Sequence, residues 1–219
     1  TSDMAAVIIE PVQGSNPRSD IKPFLQKLRD HCTKTGALLI FDEIMTGFRL
    51  SAKGGAGVFD VRPDIVTYGK VLGGGFPIGA VGAKSEIIKT KNIFYGGTFS
   101  ANPLSMYAAK LILETIVDEK FINYDHLNES GLIFRNELND FFHDQHINMR
   151  AIGCGPINRL VFTSKFIKNK KDRDECELEN AQNNFSDKLK TLGAFVNGNG
   201  LYHFSMSHTP NVTRTLTDI

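Results

Sequence analysis

Cysteine is scarce, one-sided charge is absent and no long apolar run occurs, and each shortage removes a class of protein. The 219-residue chain holds three cysteines, Cys32, Cys154 and Cys176. They are too few and too scattered for a disulfide framework or a zinc site, and an odd number favours reduced thiols and a cytoplasmic setting. Lys and Arg number 25 against 24 Asp and Glu, a formal net charge of +1. Such balance gives no global field for nucleic acid or an anionic membrane. No stretch approaches the roughly 20 apolar residues needed to span a bilayer, and no signal peptide is read. Internal repeats and low-complexity tracts are missing too. What is there is an ordinary globular composition, 41% hydrophobic and 22% charged, with length for one large domain or two small ones.

The pattern along the chain is strand, helix, strand. Residues 5–9 are a continuous apolar run, the reading for a strand buried on both faces, ending at Glu10-Pro11. Asp20 is placed to cap a helix over 21–34, with Phe24, Leu25, Leu28 and Cys32 on one stripe and Gly36 just past its end. Residues 37–41 read as a second buried strand ending at Asp42-Glu43, and Ile65-Val66-Thr67-Tyr68 as a third ending at Lys70. This order implies right-handed crossovers and a mainly parallel sheet covered by helices. A light strand follows over 78–83, its glycines marking close backbone packing. A helix is expected over 103–119 (Leu104, Ala108, Leu111, Ile112, Thr115, Ile116). Another covers 125–144 (Leu127, Leu132, Phe134, Leu138, Phe141). Then come a strand over 158–162, a charged loop near 165–175, a helix near 175–191 and a last strand over 200–204. The division expected is a large α/β domain over 1–115 and a smaller α+β domain over 116–219.

The chemistry concentrates at strand ends. In open parallel sheets, ligands bind beyond the carboxyl ends of the strands. Glu10, Asp42-Glu43 and Lys70 all fall there. A lysine delivered by a buried strand into Gly73-Gly74-Gly75 is a candidate for covalent chemistry, because desolvation frees its amine to attack carbonyls. Two plainer readings stand beside it: a surface lysine just past a strand, and a structural Asp–Lys ion pair at a sheet edge. An amine for a Schiff base and a carboxylate for a pyridinium nitrogen are the two protein groups that pyridoxal phosphate needs. Asp42 and Lys70, separated by a helix-free crossover and a strand, can occupy neighbouring strands and reach one ring.

Other motifs carry less. Gly69-Lys70 is not a P-loop, since Asp64 stands where a glycine is required and Val71 replaces Ser or Thr. Gly73-Gly74-Gly75 does not open a helix in the spacing of a dinucleotide fingerprint. The histidines (His31, His126, His143, His146, His203, His208) show no metal-ligand spacing, so no metal is expected. His143 and His146 fit a solvated helix end, and Lys168–Arg173 a solvated loop.

Four blocks, in order and spacing, resemble the class III pyridoxal-phosphate aminotransferases. They are Glu10-Pro11-Val12-Gln13-Gly14; Leu39-Ile40-Phe41-Asp42-Glu43-Ile44-Met45-Thr46-Gly47-Phe48-Arg49; Thr67-Tyr68-Gly69-Lys70-Val71-Leu72-Gly73-Gly74-Gly75-Phe76-Pro77-Ile78-Gly79-Ala80; and Gly96-Gly97-Thr98-Phe99-Ser100-Ala101-Asn102-Pro103-Leu104. Ser205-Met206-Ser207-His208-Thr209 looks like the family's last strand. The resemblance implies a fold type I transferase, with a mostly parallel large domain (partial here) and a smaller C-terminal α+β domain. It implies pyridoxal 5'-phosphate as cofactor, a small amino substrate, and a homodimer with a shared active site.

The same resemblance implies residue roles. Lys70 would be the Schiff-base lysine and Asp42 the partner of the pyridine nitrogen. Thr98 would bind the cofactor phosphate of the neighbouring subunit, and Gly97 would let backbone approach it closely. Glu43 and Glu10 would stand behind these groups at the strand ends. Ser15 occupies the position where many ω-amino-acid aminotransferases carry a further glutamate, and Met45 the position where many carry glutamine. The block Asp42 to Arg49 looks instead like glutamate-1-semialdehyde 2,1-aminomutase and its relatives. The family also implies an upstream half before Thr1 and a further helix beyond Ile219, and hence partner chains over uncovered apolar surface. Alternatives are a non-catalytic fragment acting through dimer contacts, or another pyridoxal enzyme of this fold, such as a racemase or decarboxylase.

Overall fold

The computed structural model describes residues 3–89, 96–118, 122–176, 181–194 and 200–208. The chain divides into two compact units, Thr1–Pro11 with Asp20–Ile122, and Val12–Ser19 with Asn123–Ile219.

The first unit is built on a four-stranded sheet. β1 (Ala6–Ile9), β2 (Leu38–Asp42) and β3 (Ile65–Tyr68) run parallel, and β4 (Ala80–Ala83) returns antiparallel to β3, in the order β1-β2-β3-β4. Leu39 and Phe41 of the central strand are fully buried. β1 is not buried on both faces as its apolar run suggested: it lies at the edge of this sheet and Ile8 is 63% exposed. A continuous apolar run reports that neither face favours water, not that both are covered here.

α1 (Lys22–Thr35) links β1 to β2, burying Leu25 and Cys32, and Gly36 closes it with φ 77°. Asp20 does not cap it. The cap position is Ile21, which makes no side-chain cap bond, and Pro23 in the first turn supplies helical φ without needing an acceptor for a missing N–H. The crossover from β2 to β3 is not helix-free. It contains α2 (Gly54–Phe59), whose sequence Gly-Gly-Ala-Gly-Val-Phe has low helix propensity. After β4 come α3 (Ser85–Ile88) and α4 (Pro103–Val117). The Asn102 carboxamide caps α4 by accepting from the Leu104 and Ser105 amides. The buried side of α4 carries Ser105, Ala109 and Ile116, whereas Leu104 and Leu111 of the expected stripe are exposed.

The second unit pairs a long helix with a three-stranded antiparallel sheet. α5 (Tyr124–Asp144) precedes β5 (Arg150–Cys154), β6 (Ile157–Val161) and β7 (Leu201–His203), in the order β5-β6-β7. α5 buries Leu127, Phe134 and Phe142, while Leu132 and Phe141 of its expected stripe are exposed. Phe142, Ala151, Leu160, Ala194 and Tyr202 form its core. β5 has no counterpart in the sequence reading. Its glycine and single β-branched residue give it a weak strand signal.

Part of the expected charged loop is helical, as α6 (Lys170–Asp174), and α7 is Ala181–Thr191. Arg173 is buried rather than solvated, and it donates to the Ser15 carbonyl at 3.2 Å. Residues 205–208 form a turn rather than a strand, and Thr209 lies outside the described residues. No described helix is long and apolar enough to cross a membrane.

Candidate active site

Parallel pairing of β2 and β3 brings the candidate residues to one end of the sheet. Asp42 lies in register with Thr67, and the Glu43 amide continues the pairing by donating to the Thr67 carbonyl at 3.0 Å. Asp42 is half-buried. Its Oδ1 accepts from the Ile44 amide at 3.0 Å and from the Thr67 hydroxyl at 3.2 Å. Oδ2 accepts nothing among the described residues. One oxygen fixes the carboxylate and the other is left for a donor from outside.

Lys70 follows β3 after Gly69 and opens a 3₁₀ turn over Lys70–Gly73. Its φ is 48°, a left-handed conformation costing a side-chain-bearing residue roughly 1–2 kcal/mol. Strain of that kind persists where surrounding structure imposes it, and it gathers at functional sites. The expected desolvation is not found: Lys70 is exposed. The strand ends at Tyr68, and the turn carries the lysine beyond the sheet. Lys70 makes no ion pair with Asp42 among the described residues.

The loop between β2 and α2 is held against β3. The Tyr68 ring stacks on Phe48 with centroids 4.9 Å apart and planes at 26°. Gly47 is required there, because a Cβ would lie 2.7 Å from the Glu43 carbonyl oxygen and 2.8 Å from the Tyr68 ring. Burial, and then the charge of Glu43, push the Tyr68 phenol above its usual pKa. Arg49 donates to the Met45 carbonyl at 3.0 Å, and burial lowers its pKa.

Glu43 is only 1% exposed. Its Oε2 accepts from the Thr46 hydroxyl and from the Gly55 amide at 2.8 Å, and its Oε1 from the Ala56 amide at 2.7 Å. Gly54, with φ 62°, leaves room for this carboxylate: a Cβ would sit 2.5 Å from Oε2. These bonds explain why a glycine-rich segment forms α2 at all, since buried acceptors need donors and its first amides are free to supply them.

Glu10 is half-buried just after β1. Gly97 and Thr98 are exposed and line an open hollow of about 560 Å³ with Pro77, Ile78, Gly79 and Asn102. The Gly97 carbonyl accepts from the Ser100 amide at 2.9 Å. Asp42 therefore ends β2 and Lys70 lies just past the end of the adjoining β3, whereas Thr98 and Gly97 line this hollow. Sequence reasoning missed Thr46, Thr67, Gly54 and Gly55. The first two lie inside the blocks already singled out, and a buried carboxylate's need for donors was the signal available. The donor set fits a pyridine ring bearing an aldehyde: an exposed amine at one strand end and a fixed, half-open carboxylate at its neighbour.

Residues 1–202 match the class-III aminotransferase family. The chain belongs to that family. This class III chain is 41% identical over 169 residues to the glutamate-1-semialdehyde 2,1-aminomutase of Natronomonas pharaonis, covering 74% of the chain and 37% of that protein. It is 38% identical over 167 residues to glutamate-1-semialdehyde 2,1-aminomutase 2 of Lachnoclostridium phytofermentans, covering 73% of the chain and 38% of that protein. Among solved structures, it resembles a β-phenylalanine aminotransferase from Variovorax paradoxus with TM-score 0.87 and 27% identity, over 99% of this chain and 51% of that one. A glutamate-1-semialdehyde-aminomutase from Pseudomonas aeruginosa in complex with PMP matches in fold, with TM-score 0.85 and 16% identity over 99% of this chain and 51% of that one. The fold is thus that of the fold type I transferases. The class III chain spans less than two fifths of the length of these two curated relatives and about half of the solved ones.

Proposed function

We propose that this protein transfers amino groups with pyridoxal 5'-phosphate, in the manner of a glutamate-1-semialdehyde 2,1-aminomutase. The observation that carries the reading is the pair at the carboxyl ends of β2 and β3: Asp42 with one oxygen fixed and one open, and Lys70 exposed in a strained turn. Bound there, the cofactor would supply an electron sink for the pair released when a substrate Cα–H bond breaks. Asp42 Oδ2 would accept from a protonated ring nitrogen. Lys70 Nζ would hold the cofactor between turnovers, then take up the Cα proton and return it elsewhere on the reacting system. Gly97 and Thr98 would receive the cofactor phosphate of a second subunit, making the enzyme a homodimer with a shared site. Glu43 and Glu10 would support the strand ends from behind. Buried thiols at Cys32 and Cys154 agree with a reducing, cytoplasmic setting.

The aminomutase reading follows the names of the curated relatives. A second reading, an aminotransferase passing the amino group to a separate keto acid or aldehyde, is favoured by the likeness to the β-phenylalanine aminotransferase. Absorbance titration with pyridoxal 5'-phosphate, followed by a substrate panel, separates them. Turnover of glutamate-1-semialdehyde without a second substrate supports the mutase. Turnover only with a donor and an acceptor supports the transferase. Size exclusion with cofactor titration tests a role through dimer contacts alone, and saturable tight cofactor binding would count against that role. If Lys70→Ala leaves both the cofactor band and turnover intact, the role given to Lys70 is wrong.

A further inference from the structure

Glu43 is a buried carboxylate with no cationic partner among the described residues, and every polar atom it has is bonded. Its amide donates to Thr67 across the strand pair at 3.0 Å, and its carbonyl accepts from Gly47 at 2.7 Å. Its side chain takes the Thr46 hydroxyl and the first amides of α2. Burying a charge is costly unless donors surround it, so this carboxylate is strongly committed to one position. Asp42 is the preceding residue and Ile44 the following one, and the Ile44 amide holds Asp42 Oδ1 at 3.0 Å. Any slack in Glu43 therefore reaches the Asp42 carboxylate through one peptide unit on either side.

We propose that Glu43, locked by Thr46 and the start of α2, is the positioning residue that sets the direction of the Asp42 carboxylate. Glu43 touches neither substrate nor cofactor in this scheme. It keeps Oδ1 of Asp42 occupied and Oδ2 turned outward to a ring nitrogen. The proposal rests on the reading that Asp42 partners that nitrogen.

A double-mutant cycle separates positioning from simple stability, because coupling appears only when one residue acts through the other. Pyridoxal 5'-phosphate is titrated by absorbance into the unmodified protein, Glu43→Gln, Asp42→Asn and the double variant, and the thermal midpoint of each is recorded without cofactor. Glu43→Gln should weaken cofactor binding about tenfold and shift the pH dependence of the cofactor band, but change binding less than about twofold once Asp42 is Asn. Thr46→Val runs the same cycle by removing one donor, and keeps the test open if Glu43→Gln does not fold. Thr46→Ser should restore binding. Equal losses with and without Asp42, or a lowered midpoint with binding untouched, would overturn the proposal while leaving the cofactor reading standing. Failure of the unmodified protein to bind cofactor would overturn both.

Discussion

The two ends of the four-stranded sheet use the same residue types to opposite effect. Where β3 begins, Asp64 is 5% exposed and fully engaged. It accepts from the Leu39 amide at 2.8 Å and pairs with Arg29 at 2.7 Å and Lys84 at 2.5 Å. Where β2 and β3 finish, Asp42 keeps an open oxygen and Lys70 is exposed. The Asp–Lys ion pair that a sheet edge can carry does exist in this protein, but at the opposite end from Lys70. What separates a structural pair from a reactive one is not residue identity but whether every polar atom already has a partner.

Three substitutions and one titration probe that contrast. The largest effect is expected at the open end: Lys70→Ala should reduce turnover roughly a thousandfold or more while leaving the unfolding midpoint in place. A large loss of stability in that variant would break the contrast. At the closed end, Asp64→Asn should cost about 3 kcal/mol in urea unfolding, since two cations and an amide lose a charged acceptor. Cofactor affinity should stay within about twofold, read by absorbance titration at low urea.

Acid tests the same end without mutation. Burial by itself would raise the Asp64 pKa, but the Lys84 ammonium, the Leu39 amide and the Arg29 guanidinium outweigh it and hold the carboxyl at about 2, down from 3.8. A carboxyl depressed on folding stabilises fully above its unfolded value, so this contribution should vanish between about pH 4 and pH 2. Asp64→Asn should flatten that segment of the stability–pH curve. The smallest effect is expected from Lys70→Gly, which relieves the positive φ: stability should hold or rise by up to about 1 kcal/mol, measured by urea unfolding.

How much of this was legible in the sequence differs between the ends. β3 covers the Ile65-Val66-Thr67-Tyr68 run read as a strand, Gly36 sits in the left-handed position expected of it, and Asp42 stands at a strand end as read. These features depend on local pattern. Asp64 as an anchor was not legible, because Arg29 comes from α1 and Lys84 from the residue after β4, with no spacing to tie them. α2 was hidden because its glycines argue against a helix, and the Glu43 carboxylate that accepts from its Gly55 and Ala56 amides is a tertiary partner. Arg173 sits in a basic run that looks solvated until the Ser15 carbonyl, distant in sequence, meets it. Burial of Lys70 was inferred from strand chemistry, and the turn that follows Gly69 removes it. Local periodicity places elements; partners from distant segments decide which polar groups are closed and which stay open.

The central claim, that the open end at Asp42 and Lys70 holds pyridoxal 5'-phosphate, is tested most directly by covalent mapping. The protein is incubated with the cofactor and treated with borohydride, which reduces a carbon–nitrogen double bond to a stable amine, then digested and analysed by mass spectrometry. The expected result is one stoichiometric pyridoxyl mass on the peptide containing Lys70, with Lys84 unmodified. A tag on another lysine, or one scattered over exposed lysines with Lys70 untouched, would contradict the account.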